Sequence, residues 1–108
     1  MKLAVAEKGL LVLEGTVKGK AGHAAREEGI NAIYLALNDL EKVKNFQFQK
    51  ISPFLGPTKV SCTIIHAGEQ HNTVPELCRY VLDVRINELY THEEVLEELN
   101  SVLTAELV

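Results

Sequence analysis

Hydrophobic residues recur along the first half of the chain with two different periods, and these periods predict its elements. Residues 10–18, LLVLEGTVK, are apolar at first and then alternate, which predicts a strand. Gly15 within it predicts a bulge or a close backbone approach. Spacings of three and four predict a helix over Gly29–Lys44, with an apolar face of Ile30, Ile33, Tyr34, Leu37, Leu40 and Val43. Prolines and a glycine within residues 45–57 then predict an irregular loop.

The second half contains two strand patterns separated by the segment AGEQHNTVP. Residues Thr58–His66 predict one strand, and Glu76–Asn87 show the clearest alternation in the chain. Side chains along a strand point alternately to its two faces. The second pattern therefore predicts a core face of Cys78, Tyr80, Leu82, Val84 and Ile86. It also predicts an open and mainly polar face of Arg79, Val81, Asp83, Arg85 and Asn87.

A capping box marks the last helix. Thr91 as N-cap and Glu94 three residues later are each able to satisfy the other's backbone N–H, which predicts a helix over Thr91–Leu103. Its buried stripe is predicted to be Val95, Leu96, Leu99, Val102 and Leu103. The final residues, TAELV, predict the start of another strand that the end of the sequence truncates.

The order β-α-β-β-α-β predicts an α+β domain with a ferredoxin-like fold. One antiparallel sheet carries two helices on one face and leaves its other face open. A chain of 108 residues suits a single domain, residues 1–108. Such a sheet has edge strands, which proteins cover or pair. Pairing two edges across a two-fold axis would give a homodimer.

Composition and charge exclude several classes of protein. The apolar fraction of 46% with 24% charged residues is typical of a globular chain. A net charge of −4 and scattered basic residues argue against nucleic-acid binding, which needs a basic surface. No apolar run approaches the roughly 18 residues of a membrane span, and the first fifteen residues lack the continuous apolar region of a signal peptide. We therefore expect a cytoplasmic location and no membrane contact.

Metal-binding and nucleophilic motifs are weak in this sequence. His66 and His71 bracket Glu69, but no second cluster has ligand spacing, so we expect no metal site and no cofactor in this chain. Cys62 and Cys78 fall within predicted strands. A reducing compartment favours free thiols there, and a cross-strand disulfide is the alternative.

Two residues stand out as candidates for binding. His23 lies in the glycine-flanked stretch GKAGHAAREEG, where glycines let the backbone approach another group closely. Its alternative role is that of a surface histidine in a linker. Arg85 on the open face of its strand offers a planar fork for a carboxylate. A cross-strand ion pair with an acidic neighbour such as Glu14 is the alternative.

Three segments together carry a resemblance to a known family. They are GTVKGKAGHAAREEGINAI (15–33), IIHAGEQHNTVPELCRYVLDVRIN (64–87) and the closing helix after THEE. In order and spacing they resemble the lid, or dimerisation, domain of the zinc-dependent amidohydrolases and exopeptidases. That family includes acetylornithine deacetylase, succinyl-diaminopimelate desuccinylase and the glutamate carboxypeptidases. The combination of Gly-His-Ala, Asn-x-Val-Pro and an arginine ten residues past the proline is more specific than any single piece.

The resemblance implies that this chain is a dimerisation domain excised from a larger metallohydrolase. The absent catalytic domain would hold two metal ions, zinc or cobalt, so the isolated chain should be inactive. His23 would reach the active site of the other subunit of a homodimer and stabilise an oxyanion there. Asn72 would hydrogen-bond the substrate near the scissile amide, and Arg85 would bind the substrate carboxylate.

The substrate implied by the resemblance is an N-acyl amino acid. The stretch REEGINAIYLALNDL most resembles acetylornithine deacetylase, an enzyme of arginine biosynthesis, with related deacylases next. Some relatives have an aromatic residue where this chain has Arg26, which leaves the acyl specificity open. An amino-acid-sensing regulatory domain of the same architecture and a protein-interaction module are the alternative functions.

Overall fold

A computed structural model describes residues 7–108, so the first six residues of the predicted domain 1–108 lie outside it. The elements are β1 Gly9–Lys18, β2 Gly22–His23, α1 Ala32–Asn45, β3 Lys59–Ala67, β4 Thr73–Val74, β5 Leu77–Ile86, α2 His92–Asn100 and β6 Glu106–Leu107. An antiparallel sheet has the strand order β3-β5-β1-β6, while β2 and β4 form a separate two-stranded sheet. The predicted ferredoxin-like α+β fold is confirmed, including the final short strand.

The two central strands, β1 and β5, pair along their whole length from Gly9 opposite Ile86 to Lys18 opposite Leu77. The predicted inward face of β5 is confirmed, since Cys78, Tyr80, Leu82, Val84 and Ile86 are all buried. Gly15 of β1 is a place of close approach, as predicted. A Cβ atom there would lie 2.7 Å from Cε1 of Tyr80.

Asn87 corrects the predicted open face, because it is buried rather than exposed. Strand β5 ends at Ile86, so the alternation does not continue to Asn87. The side-chain Nδ2 of Asn87 donates to the carbonyl oxygens of Lys50 and Gly56, each at 2.9 Å. Its backbone N–H donates to Oγ1 of Thr58 at 3.0 Å. Asn87 thus fixes the irregular segment 46–58, where a loop was predicted.

Helix α1 begins later than predicted and buries a different face. Ile30 pairs with Lys20 instead of joining the helix, and Asn31 caps it by accepting from the N–H of Ile33 at 2.9 Å. The residues that face the sheet are Ala32, Ala36, Asp39 and Val43. Tyr34 and Leu37, predicted to be core, are 67% and 51% exposed. Small alanines allow the helix to pack closely on the sheet, while Tyr34 and Leu37 point outward.

A buried carboxylate, Asp39, connects α1 to the segment before β6. Its oxygens accept from the Tyr80 hydroxyl at 2.7 Å and from the Ala105 N–H at 3.0 Å. They also accept from the backbone N–H and hydroxyl of Thr104, each at 2.9 Å. Burial, and then the hydrogen bond to Asp39, raise the pKa of Tyr80 well above its ordinary value. The phenol therefore stays a donor.

Helix α2 has the predicted start and an earlier end. The capping box is present: the N–H of Glu94 donates to the Thr91 hydroxyl, and the N–H of Thr91 donates to the Glu94 carboxylate. The helix ends at Asn100. Leu103 is still buried, because its side chain packs on the core from the turn that follows the helix.

Neither α1 nor α2, the helices of residues 7–108, has the length and apolar character of a membrane span.

Candidate functional site

The small sheet of β2 and β4 brings two of the predicted site residues together. Its register places Gly22 opposite Val74 and His23 opposite Thr73. The N–H of Ala24 then donates to the carbonyl oxygen of Asn72 at 3.0 Å. His23 and Asn72, which lie far apart in the sequence, therefore occupy one end of the molecule, just beyond the ends of β1 and β5.

The glycines around His23 are required by a tight backbone crossing. A Cβ atom at Gly22 would lie 2.8 Å from the backbone nitrogen of Gly29, and one at Gly29 would lie 2.9 Å from the carbonyl oxygen of Lys20. Neither position has room for a larger residue without a backbone shift. The stretch is thus a closely packed crossing of two backbone segments, rather than a loose linker. This packing fixes the position of the His23 backbone.

The imidazole of His23 is held by its own turn. Its Nδ1 accepts from the backbone N–H of Ala25 at 3.1 Å, and its carbonyl oxygen accepts from the N–H of Arg26 at 2.9 Å. A ring nitrogen that accepts carries no proton, so in the neutral ring the proton is on Nε2. The side chain is exposed, and the Nε2–H is therefore a donor available to a group outside this chain.

Arg85 lies on the open face of β5, as predicted, and its partner is Asp83. Nε of Arg85 donates to Oδ1 of Asp83 at 2.7 Å, and Nη2 donates to Oδ2 at 3.2 Å. These hydrogen bonds lower the pKa of the Asp83 carboxyl and raise the pKa of Arg85. The alternative ion pair with Glu14 is wrong, because Glu14 lies opposite Val81 instead. Asp83 is the neighbour that sequence reasoning missed, although its spacing of two from Arg85 already put both side chains on one face.

Arg85 lies far from the other two candidate residues. It is eight residues from Leu77, the end of β5 nearest the small sheet, which corresponds to about 26 Å of strand. One chain therefore cannot bring His23, Asn72 and Arg85 to the same small molecule. The structure groups the first two at one end of the sheet and places the third at the other.

A cleft of about 400 Å³ lies beside the small sheet. Its charged lining residues are Glu69 and Glu76, and neither His23 nor Asn72 lines it. Two lining carboxylates without a cation would repel the carboxylate of an amino acid and offer it no charged donor. This cleft therefore gives no support to the amino-acid-sensing alternative.

Metal ligands are not assembled within residues 7–108. No group of three or more His, Cys, Asp or Glu side chains there is arranged to hold a metal ion. His66 lies on β3 opposite Arg79, whereas His71 lies in the turn before β4.

Cys62 and Cys78 are free thiols, and burial raises the pKa of both. Neither thiol is therefore suited to act as a nucleophile.

One edge of the molecule combines exposed apolar residues with a strand whose outer side is not paired. Strand β3 is the edge of the sheet, and Ile64 and Ile65 on it are largely exposed beside a bulge at Cys62–Ile64. Helix α1 packs over β3 and β5 and presents Tyr34 and Leu37 to solvent. We call β3 and the outer face of α1 the β3 edge. Exposed strand edges with apolar neighbours favour pairing with another chain.

Comparison with known proteins identifies the class to which this architecture belongs. The model of the family described as "Peptidase dimerisation domain" matches residues 5–108. The chain therefore belongs to the peptidase dimerisation domain family, and the resemblance seen in the sequence is confirmed.

Curated relatives include a metallohydrolase, a desuccinylase and a deacetylase. The chain is 34% identical over 106 residues to an uncharacterized metallohydrolase of Methanocaldococcus jannaschii, covering 92% of this chain and 26% of the relative. It is 32% identical over 90 residues to succinyl-diaminopimelate desuccinylase of Aliarcobacter butzleri, covering 82% and 25%. It is 30% identical over 87 residues to acetylornithine deacetylase of Myxococcus xanthus, covering 74% and 23%. The chain thus spans about a quarter of the length of the curated relatives it matches.

Solved structures share the fold at lower identity. The aminobenzoyl-glutamate utilization protein of Klebsiella pneumoniae superposes with a TM-score of 0.75 at 19% identity, over 94% of this chain and 27% of its own. A putative aminohydrolase of methicillin-resistant Staphylococcus aureus gives 0.72 at 18% identity, over 95% and 29%. The dimerisation-domain fold is therefore shown by sequence and by structure.

Proposed function

We propose that this chain is the dimerisation domain of a metal-dependent N-acyl amino acid deacylase, with acetylornithine deacetylase as the specific candidate. The relatives support the deacylase class, and two of them bear the names of a deacetylase and a desuccinylase. The catalytic domain belongs to the rest of a longer polypeptide and holds zinc or cobalt. Those metal ions would activate a water molecule for attack on the amide, and their ligands would lie outside this chain. The isolated chain is inactive.

The observation that carries the proposal is the separation of His23 and Asn72 from Arg85. If two copies pair through the β3 edge about a two-fold axis, their β3 strands run antiparallel. The small sheet of one copy then lies toward the Arg85 end of the other. Each active site of the homodimer uses Arg85 from one chain and His23 with Asn72 from its partner.

Each residue has a chemical role in amide hydrolysis that fits its geometry. The Nε2–H of His23 donates to the oxyanion of the tetrahedral intermediate, and the hydrogen bond from the Ala25 N–H to Nδ1 holds the ring in place. The amide of Asn72 hydrogen-bonds the substrate beside the scissile bond. Arg85 binds the substrate carboxylate, and the acetyl group distinguishes the specific candidate from a desuccinylase.

Subunit complementation in the full-length polypeptide tests this arrangement. His23→Ala should reduce turnover by about 10²–10³, the scale of a lost oxyanion donor. Arg85→Gln should raise the KM for a carboxylate substrate. At a substrate concentration far below the KM of Arg85→Gln, both variants turn over slowly. Mixing and re-associating them should then restore about a quarter of wild-type activity, because half of the dimers are mixed and each has one intact site. No recovery in verified mixed dimers would refute a site shared between subunits.

A further inference from the structure

We infer that Asp83 is a positioning residue for Arg85, because it holds one edge of the guanidinium and leaves the other edge for the substrate carboxylate. The inference rests on the proposed function of Arg85 as the carboxylate-binding residue. By occupying one edge of the guanidinium, Asp83 determines the direction from which the substrate carboxylate approaches Arg85.

The geometry of the pair defines which edge is free. The guanidinium has five N–H donors in a fixed plane. Asp83 takes the Nε–H and one N–H of Nη2 with its two oxygens, a bidentate contact along the side of the group. The donors of Nη1 and the second N–H of Nη2 remain. One N–H of Nη1 and the free N–H of Nη2 form the end edge of the fork, which matches a second carboxylate equally well.

The cross-strand neighbours show why Arg85 needs this partner. Arg85 lies opposite Leu10 of β1 and Lys59 of β3, one apolar residue and one cation. Neither accepts a hydrogen bond through its side chain. Among residues 7–108, the acceptor found for Arg85 is Asp83. Without it, a long and half-exposed side chain would sample many rotamers and would have to be ordered when substrate binds.

Stability does not account for the pair. The side chains of Arg85 and Asp83 are 56% and 29% exposed, and exposed ion pairs contribute little to folding. The hydrogen bonds from Arg85 lower the pKa of the Asp83 carboxyl, which favours its ionised form. The opposite charges of Arg85 and Asp83 offset each other. Recognition of the substrate by Arg85 therefore depends on the orientation of its free edge more than on long-range attraction.

Kinetics of the full-length enzyme test the inference. We expect Asp83→Asn to raise the KM for an N-acyl amino acid by about five- to tenfold with kcat nearly unchanged, the scale of ordering one long side chain. Asp83→Glu should recover part of the loss. In Asp83→Asn, the preference for the carboxylate substrate over its carboxamide analogue should fall as the KM rises. Glu14→Gln is the matched control, since Glu14 is a carboxylate on the same sheet face that does not contact Arg85.

The same experiment separates this inference from the proposed function. If Arg85→Gln leaves the KM unchanged, Arg85 does not bind the carboxylate and the proposed function of that residue is wrong. If Arg85→Gln raises the KM but Asp83→Asn does not, the positioning role is overturned and the function of Arg85 stands.

Nuclear magnetic resonance of the 108-residue chain gives a second readout that does not depend on a variant. The Nε–H of Arg85 should exchange with water more slowly than those of Arg26 and Arg79, which are the other two arginines. Equal exchange of all three would also overturn the inference.

Discussion

Removal of the Asp39 carboxylate should destabilise the domain more than any other change to a polar side chain on α1. Asp39 is fully buried and accepts from four donors on two other segments. In Asp39→Ala the Tyr80 hydroxyl and the Ala105 N–H are left buried without an acceptor. Each such group costs about 1–3 kcal/mol, so we expect a loss of about 2–6 kcal/mol. The Thr104 donors are closer to water and add less.

A loss of that size is a large part of the stability of a small domain, which is about 5–15 kcal/mol in total. Tyr80→Phe removes one donor and leaves the other three, so its expected cost is about 1 kcal/mol. Because both changes remove the same hydrogen bond, their effects should not add in the double variant. The predicted interaction between the two residues is therefore a test of the contact itself.

Urea and thermal unfolding followed by circular dichroism provide the assay. A loss of 2 kcal/mol or more corresponds to a fall in Tm of about 8 °C or more for a domain of this size. Asn38→Ala is the matched control, because Asn38 is the exposed neighbour of Asp39 on the same helix. If Asp39→Ala lowers stability by less than about 1 kcal/mol, the four hydrogen bonds do not hold α1 to β5 and to the segment before β6.

Three further predictions concern α2, the β3 edge and the open face. Thr91→Ala should cost about 1 kcal/mol in unfolding free energy, the value of a helix N-cap, and an unchanged midpoint would argue against the capping box. If the proposed dimer forms through the β3 edge, Tyr34→Glu should shift it to monomer in light scattering, while Leu89→Glu, also exposed, should not. Equal behaviour of the two variants would exclude the β3 edge as the interface. Because Arg85 lowers the pKa of Asp83, the small stabilisation from this exposed pair is present above the pKa of Asp83 in the unfolded chain and is lost as pH falls through its pKa in the folded chain. Arg85→Gln should return the pKa of Asp83 toward its ordinary value in a carbon-13 titration, and no rise would contradict the contact.

The sequence predicted those features of the fold that local spacing determines. The alternation in β5 identified five core residues, and Thr91 with Glu94 identified the start of α2. Both signals are contained within about a dozen neighbouring residues. The two-residue strands β2 and β4 were not predicted, because strands of that length have no period to detect.

Other features depend on which surfaces meet in three dimensions. The apolar periodicity of α1 was interpreted as its core face, yet Tyr34 and Leu37 point outward, because small residues contact the sheet. Outward apolar residues are what a dimer surface needs, so the same pattern is compatible with two orientations of the helix. The sequence likewise did not determine the ion-pair partner of Arg85. The register that separates Glu14 from Arg85 is known only from the pairing of β1 with β5.

The uninterrupted pairing of β1 with β5 also sets a length. Ten residue pairs without a register shift make a rigid spacer that separates the small sheet from the Arg85 end. Adding or removing two residues in both strands would change this spacer by about 7 Å and leave every side chain on its original face. A change of one residue would instead exchange the two faces and destroy the core. The length of these strands is therefore adjustable in steps of two residues, and each step would change the distance between His23 and Arg85.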